Sequence, residues 1–272
     1  MPTAEELLGD AAVAGLVACL ERTDPGLRVA AVRRARAALG PLAFGERVTA
    51  VSDALLADLP DDLAGFAAVL RAALRDPAFS GWMIWAVADA ASRRALEDPA
   101  DDALETGLAL LRELTPRLTA EAAIRRLLQH DPDRALAVVT GWTTDPDPHV
   151  RRLASEGTRP FLPWARRVPA LAERPTATVP ILDALRGDPS EYVRRSVANH
   201  LNDLSRVDPE LAVATAGRWQ LTLAPGERTT LARRRPFVPI TTRRYHAGEH
   251  AIELQVNGRR YGRAAFELVI PA

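Results

Sequence analysis

Apolar residues recur at spacings of three and four along residues 4–219, the spacing that stacks side chains on one face of an α-helix. The clearest stripe is Val193, Val197, Leu201 and Leu204. Ala, Leu and Arg dominate these segments, and all three are strong helix formers. Asp-Pro pairs beginning at residues 24, 76, 98, 131, 145, 188 and 208 punctuate the run. An Asp N-cap with Pro at the first helical position is a good helix start, so the pattern predicts helices of roughly 10–16 residues joined by short turns. After Trp219 the period changes. Ile252, Leu254 and Val256 alternate with Glu253 and Gln255, Asn257-Gly258 supplies a two-residue hairpin turn, and Phe266, Leu268 and Ile270 continue a return strand. Residues 221–272 are predicted to hold three or four strands, too few for an independent core. They either pack on the helices or belong to a larger β module.

The helical part repeats. Asp145-Pro146-Asp147-Pro148-His149-Val150-Arg151-Arg152 aligns with Asp188-Pro189-Ser190-Glu191-Tyr192-Val193-Arg194-Arg195 at an offset of 43. Trp142 follows Asp131 at the same distance as Trp219 follows Asp208. A period of about 40–47 residues belongs to HEAT-like helix-pair solenoids, in which stacked units bury a continuous core. The expected fold is mainly α: a HEAT-like helix-pair superhelix over residues 1–220, followed by a small β element over 221–272.

Composition narrows the chemistry. The chain of 272 residues is 47% hydrophobic, 26% charged and 5% aromatic, an ordinary globular balance. Its longest charge-free stretch, Pro77 to Ala88, spans 12 residues, against the roughly 20 of a membrane helix. The N-terminus is acidic and lacks the features of a signal peptide, and the single Cys19 forms no internal disulfide. These features predict a cytoplasmic monomer with no membrane partner. All 35 basic residues are arginine, which excludes a P-loop lysine, a lysine Schiff base and a lysine general base. Histidines 130, 149, 200, 246 and 250 form no C-x-x-C or H-E-x-x-H pattern, and His246 and His250 flank a turn, so no metal site is expected. The net charge of zero hides an asymmetry: residues 1–150 carry 15 Arg against 23 Asp+Glu, and residues 151–272 carry 20 against 12. Two readings stay open, a polyanion bound by the basic half or charge complementarity within the chain.

On the helix beginning near Tyr192, residues Arg195, Asn199 and Asp203 lie at i, i+4 and i+8 and are expected to share an exposed polar face, flanked by Tyr192, Ser196 and Asn202. One unit earlier, Arg152, Glu156 and Arg159 form a face above Val150, Leu153 and Ala154. In register, the two faces make either a basic groove holding a carboxylate or solvated helix surfaces with local ion pairs.

The segments 115–121, 142–164 and 188–203 resemble the AlkC branch of the HEAT-like-repeat DNA alkylation-repair glycosylases. Among their motifs are Thr115-Pro116-Arg117-Leu118-Thr119-Ala120-Glu121, His149-Val150-Arg151-Arg152-Leu153-Ala154-Ser155-Glu156-Gly157-Thr158-Arg159-Pro160 and Tyr192-Val193-Arg194-Arg195-Ser196-Val197-Ala198-Asn199-His200-Leu201-Asn202-Asp203. Pro239-Ile240-Thr241-Thr242-Arg243-Arg244-Tyr245 and Glu253-Leu254-Gln255-Val256-Asn257-Gly258 resemble the end of that branch's immunoglobulin-like domain, which is shortened here. The resemblance implies a superhelix cradling double-stranded DNA, and hydrolysis of the N-glycosidic bond to alkylated bases such as 3-methylcytosine and 3-methyladenine, with no cofactor. It implies Asp203 as the first candidate electrostatic catalyst, Glu121 as the second and Trp164 as the aromatic partner of the base. Without the resemblance, Glu121 reads as a helix-dipole residue and Trp164 as core, as do Trp142 and Trp219. Arg151, Arg152, Arg159, Arg194, Arg195, His149 and Asn199 are the candidate DNA-binding residues. Arg152 and Arg195 are favoured, because neighbours on a helix point in different directions. Glu156 aligns with Asn199 in the repeat and is placed outside the chemistry. A HEAT-repeat protein that binds DNA without catalysis, and a protein–protein scaffold, are the alternative functions.

Overall fold

The computed structural model describes residues 2–216, 226, 228, 246–256 and 259–269. The chain divides into two compact units, Met1–Ala216 and Gly217–Ala272. In the first, helices follow one another as α1 (Ala4–Leu8), α2 (Asp10–Thr23), α3 (Ala30–Ala37), α4 (Phe44–Asp58), α5 (Leu63–Ala73), α6 (Met83–Glu97) and α7 (Ala103–Leu114). They continue as α8 (Ile124–His130), α9 (Pro132–Gly141), α10 (Pro148–Gly157), α11 (Pro169–Glu173), α12 (Val179–Leu185), α13 (Glu191–Val207) and α14 (Pro209–Ala216). Neighbouring pairs stack, α4 on α6, α6 on α7 and α10 on α13. A single apolar cluster runs from Leu8 through Leu55, Ile84, Leu111 and Leu153 to Leu204. This is the mainly α, helix-pair fold that the periodicity predicts. Of the predicted stripe on α13, Val193, Val197 and Leu204 are buried, and Leu201 packs at the edge of the core.

The Asp-Pro pairs divide into two kinds. At Asp131 and Asp208 the carboxylate accepts the backbone N–H three residues on (Arg134 N at 3.0 Å, Leu211 N at 2.9 Å), and each pair starts a helix. At Asp24, Asp76, Asp98, Asp145 and Asp188 the carboxylate instead accepts the N–H two residues on, at 2.8–2.9 Å. That bond closes a turn, not a helix, so these five do not start helices as expected. The helices that follow Asp145 and Asp188 begin at Pro148 and Glu191, with N-caps Asp147 and Ser190.

The 43-residue repeat is visible in the bonding. Nη1 of Arg151 donates to the carbonyls of Asp145 (2.8 Å) and Pro146 (3.0 Å). Nη1 of Arg194 donates to those of Asp188 (2.6 Å) and Pro189 (2.9 Å). The turn aspartate of each repeat also grips the preceding one: Arg112 Nε donates to Asp145 at 2.6 Å, and Arg151 donates to Asp188 at 2.6 and 3.0 Å. Glycine permits a close approach at Gly157, where a Cβ would stand 2.7 Å from Cγ2 of Ile124.

In the second unit β1 (Gly248–Val256) and β2 (Arg259–Leu268) pair antiparallel. The register skips one residue between Glu253 and Leu254, opposite Gly262, whose φ of 64° suits a bulge. His250 lies within β1 and not in a loop. The Asn257-Gly258 turn, Ile270, Trp219 and Pro239–Tyr245 lie outside the described residues, as do any further strands of 221–245.

The turn ladder makes a direct prediction. Asp188→Ala leaves the mostly buried Arg151 without its carboxylate, and urea denaturation should register a loss of about 3 kcal/mol. Asp133→Ala breaks an exposed pair with Arg174 and should cost under about 1 kcal/mol. Equal losses would contradict the ladder's role.

Candidate active site

Helices α10 and α13 and the turn before α8 assemble a row of alternating charges. Arg152, Glu156 and Arg159 follow one another at four and three residues, so they rise along one side of α10 and its end. Arg152 Nη1 meets Glu121 Oε2 at 2.6 Å, and its Nη2 lies 3.8 Å from Glu156. Glu156 binds Arg159 at 2.5 Å, and Arg159 Nε binds Asp203 at 2.9 Å. The order is thus Glu121, Arg152, Glu156, Arg159, Asp203: three carboxylates and two guanidiniums, all largely withdrawn from water. Buried charges persist when paired and hydrogen-bonded, and these are. Ser196 donates to the second oxygen of Glu156 at 2.7 Å, and the Phe161 amide donates to Asp203 at 3.2 Å. Thr119 donates to Glu121 at 3.1 Å and accepts its amide at 3.2 Å, which fixes the turn that carries the carboxylate. The Arg152 guanidinium also stacks over the Tyr192 ring at 5.1 Å, and the His149 ring meets Tyr192 edge-on at 5.4 Å. Burial opposes charge on Arg152 and Arg159, but their carboxylates outweigh it and hold both above the ordinary arginine range. Burial pushes the Tyr192 hydroxyl up.

Asp203 is not on the exposed stripe expected for it. It is buried, together with Ser196 and His200, against α10, while Arg195 and Asn199 point to solvent. The reason is helical drift: each step of four residues advances the side chain by about 40°, so i+8 stands about 80° round from i. That rotation carries Asp203 off the outer face and into the row. Arg151 and Arg194 stand at the turns, where their donors go to backbone carbonyls and Asp188 and not outward. Trp164 is not core: it is 61% exposed, with φ at 61°, on the segment that follows Arg159. Trp142 is buried. The fold therefore gathers Glu121, Arg152, Arg159 and Asp203, with His149 at the margin beside Tyr192. It sets Arg151, Arg194, Arg195 and Asn199 apart. Glu156 joins the row although the repeat alignment had excluded it, and Tyr192 and Ser196 serve it. The i, i+4 spacing of Arg152 and Glu156 was the available signal. Among the described residues no group of three or more His, Cys, Asp or Glu could hold a metal ion.

Residues 117–214 match the model of the family described as DNA alkylation repair enzyme. The whole charged row falls inside that match. Residues 218–270 match the C-terminal Ig-like domain of the uncharacterised protein YhaZ. The YhaZ protein of Bacillus subtilis (strain 168) is 44% identical over 115 residues, 42% of this chain and 32% of that protein, so the match spans about a third of the relative's length. The solved structure of Pseudomonas fluorescens alkylpurine DNA glycosylase AlkC, bound to DNA containing an abasic site analog, aligns with a TM-score of 0.73 and 25% identity. That alignment covers 98% of this chain and 99% of the other, so the chain has an AlkC-like fold.

The buried side of α13 carries a second titrating group. His200 is fully buried, with Nδ1 at 2.9 Å from the Ser155 carbonyl and Nε2 without a hydrogen-bond partner among the described residues. Burial pushes its pKa down to about 4, so it is neutral and Nδ1–H donates. The folded pKa lies below the unfolded value of about 6.5. The histidine's contribution is therefore present above pH 6.5 and lost as pH falls towards 4. Between pH 7.5 and pH 5 this chain should lose about 2 kcal/mol more stability than its His200→Gln variant, measured by denaturant titration. Identical pH profiles would show that His200 is not held neutral.

Proposed function

We propose that this protein is a DNA glycosylase that hydrolyses the N-glycosidic bond to alkylated, cationic bases such as 3-methylcytosine and 3-methyladenine in double-stranded DNA. The observation that carries the reading is the row with one carboxylate in excess, inside the family match and in a fold shared with a glycosylase bound to abasic-site DNA. Alkylation at N3 makes the base cationic and weakens its bond to the sugar. As the C1′–N bond breaks, its electron pair passes to the base, which leaves neutral, and positive charge develops at C1′. A water molecule adds at C1′ and loses a proton. Negative charge placed in advance where positive charge develops lowers the barrier, and it is strongest where water is excluded. In this reading Asp203 and Glu121 supply that charge, positioned by their ion pairs with Arg159 and Arg152. Trp164 offers its π face to the base. Arg195, exposed and without an ion pair to any described residue, and Asn199 stand ready for phosphates. The chain has no lysine to take the reaction on to strand cleavage through a Schiff base, so the expected product is an intact abasic strand.

The test is incubation with methylated duplex DNA and mass spectrometry of the released bases. Free 3-methyladenine and 3-methylcytosine are expected. Duplex binding without base release would favour the non-catalytic DNA-binding alternative, and absence of both would favour the scaffold. Asp203→Asn should slow release by about 10²–10³-fold while duplex binding is retained, assayed below the variant's own melting transition because the substitution also loosens Arg159. A parent-like rate would remove Asp203 from the chemistry. Arg195→Ala should reduce the slope of log K against log salt by about one unit. An unchanged slope would take Arg195 off the DNA.

A further inference from the structure

Arg125, on α8, has the largest fully buried side chain among the described residues. Its guanidinium makes no ion pair with any described carboxylate. Nε donates to the Arg166 carbonyl at 2.5 Å, and Nη1 donates to the carbonyls of Gly157 (2.9 Å) and Arg159 (2.8 Å), while Nη2 is buried with no partner among the described residues. Burial pushes the group down to about 10, which leaves it charged at neutral pH. A buried charge whose hydrogen bonds go to carbonyls, with the Asp203 carboxylate acting on it only from beyond ion-pair distance, is costly, and the position of those carbonyls shows what it accomplishes. Gly157 and Arg159 open the segment between α10 and α11, and Arg166 nearly closes it. The segment is neither helix nor strand at its centre, yet it holds two features of the site. The Phe161 amide grips Asp203, with the Phe161 ring between the guanidiniums of Arg167 (4.9 Å) and Arg206 (4.3 Å). Trp164, exposed, adopts φ of 61°, a conformation that a bulky residue keeps only where its surroundings over-determine it.

We infer that Arg125 is a positioning residue: by tying both ends of the 157–166 segment to α8, it sets where the Trp164 indole and the Phe161 amide stand. Its consequence for catalysis rests on the glycosylase reading, whereas its structural effect does not. Lysine at this position carries the charge but cannot reach three carbonyls along two edges of a planar fork. The full chain labelled with 5-fluorotryptophan, with the Trp164 resonance assigned through Trp164→Phe, reads the effect by fluorine NMR. Arg125→Lys should shift and broaden the Trp164 resonance and leave those of Trp82, Trp85 and Trp142 in place. Single-turnover release of 3-methyladenine should fall about 10²-fold, as a misplacement of ~1 Å does, with affinity for a duplex bearing an abasic-site analogue held within about twofold because phosphate contacts are untouched. An unmoved Trp164 resonance, or a collective change of all the tryptophans, overturns the proposal. Hydrogen exchange on the unsubstituted chain tests it without any variant: the Phe161 amide should be protected, and exchange at the rate of an open coil overturns it. If the parent releases no base while Trp164 still responds to Arg125→Lys, the glycosylase reading fails and the positioning role stands.

Discussion

Alternation of charge is the constraint that organises the α10–α13 layer of the helical unit. Three carboxylates brought out of water between α10, α13 and the turn at Glu121 would repel one another. Arg152 and Arg159, inserted between them, remove that repulsion and leave one negative charge in excess. The helices supply the order. Four- and three-residue steps on α10 place Arg, Glu and Arg in line, and the buried side of α13 brings Asp203 to the end of the line. Ser196, Thr119, Tyr192 and the Phe161 amide take up the remaining valences. A site whose fixed charge awaits a cation is suited to a base that arrives positively charged and to a sugar that becomes so.

The same residue types build the frame by a different use. At the turns, Asp145 and Asp188 each receive an arginine from the repeat before, and Arg151 and Arg194 fold back onto the turn carbonyls. This ladder fixes the stagger of successive helix pairs, on which the row's distances depend. With no lysine in the chain, every such contact is made by a planar fork that can bond two acceptors at once. Arg125 takes this furthest, with three carbonyls and no carboxylate.

Much of the fold was legible in the sequence, because it is carried by periodicity. The three-and-four spacing gave the helices, and the 43-residue offset gave the repeat that reappears in the bonding of Arg151 and Arg194. The Arg152–Glu156–Arg159 face was legible for the same reason. What was misread turned on quantities that spacing alone does not contain. Whether Asp-Pro opens a helix or closes a turn depends on whether the carboxylate reaches the second or the third N–H. Asp203 was assigned to the outer face because i+8 looks like a repeat of i, although the helix has turned about 80° by then. Arg125 lies beside Ile124 and one turn before Leu128 on an apolar stripe, where an arginine looks like a surface residue. Its burial depends on carbonyls from more than thirty residues away. The exposure of Trp164 depends in turn on that anchoring.

If the five charges act as one unit, a double-mutant cycle between separated members of the row will register it. Among the described residues, Glu156 and Asp203 are joined through Arg159. Denaturant stabilities of Glu156→Gln, Asp203→Asn and the double variant should show a coupling of about 1 kcal/mol or more, because each single change leaves Arg159 its other carboxylate and the double change leaves it neither. Additivity to within about 0.5 kcal/mol, the behaviour of independent sites, would show that the carboxylates are held separately and would contradict the account.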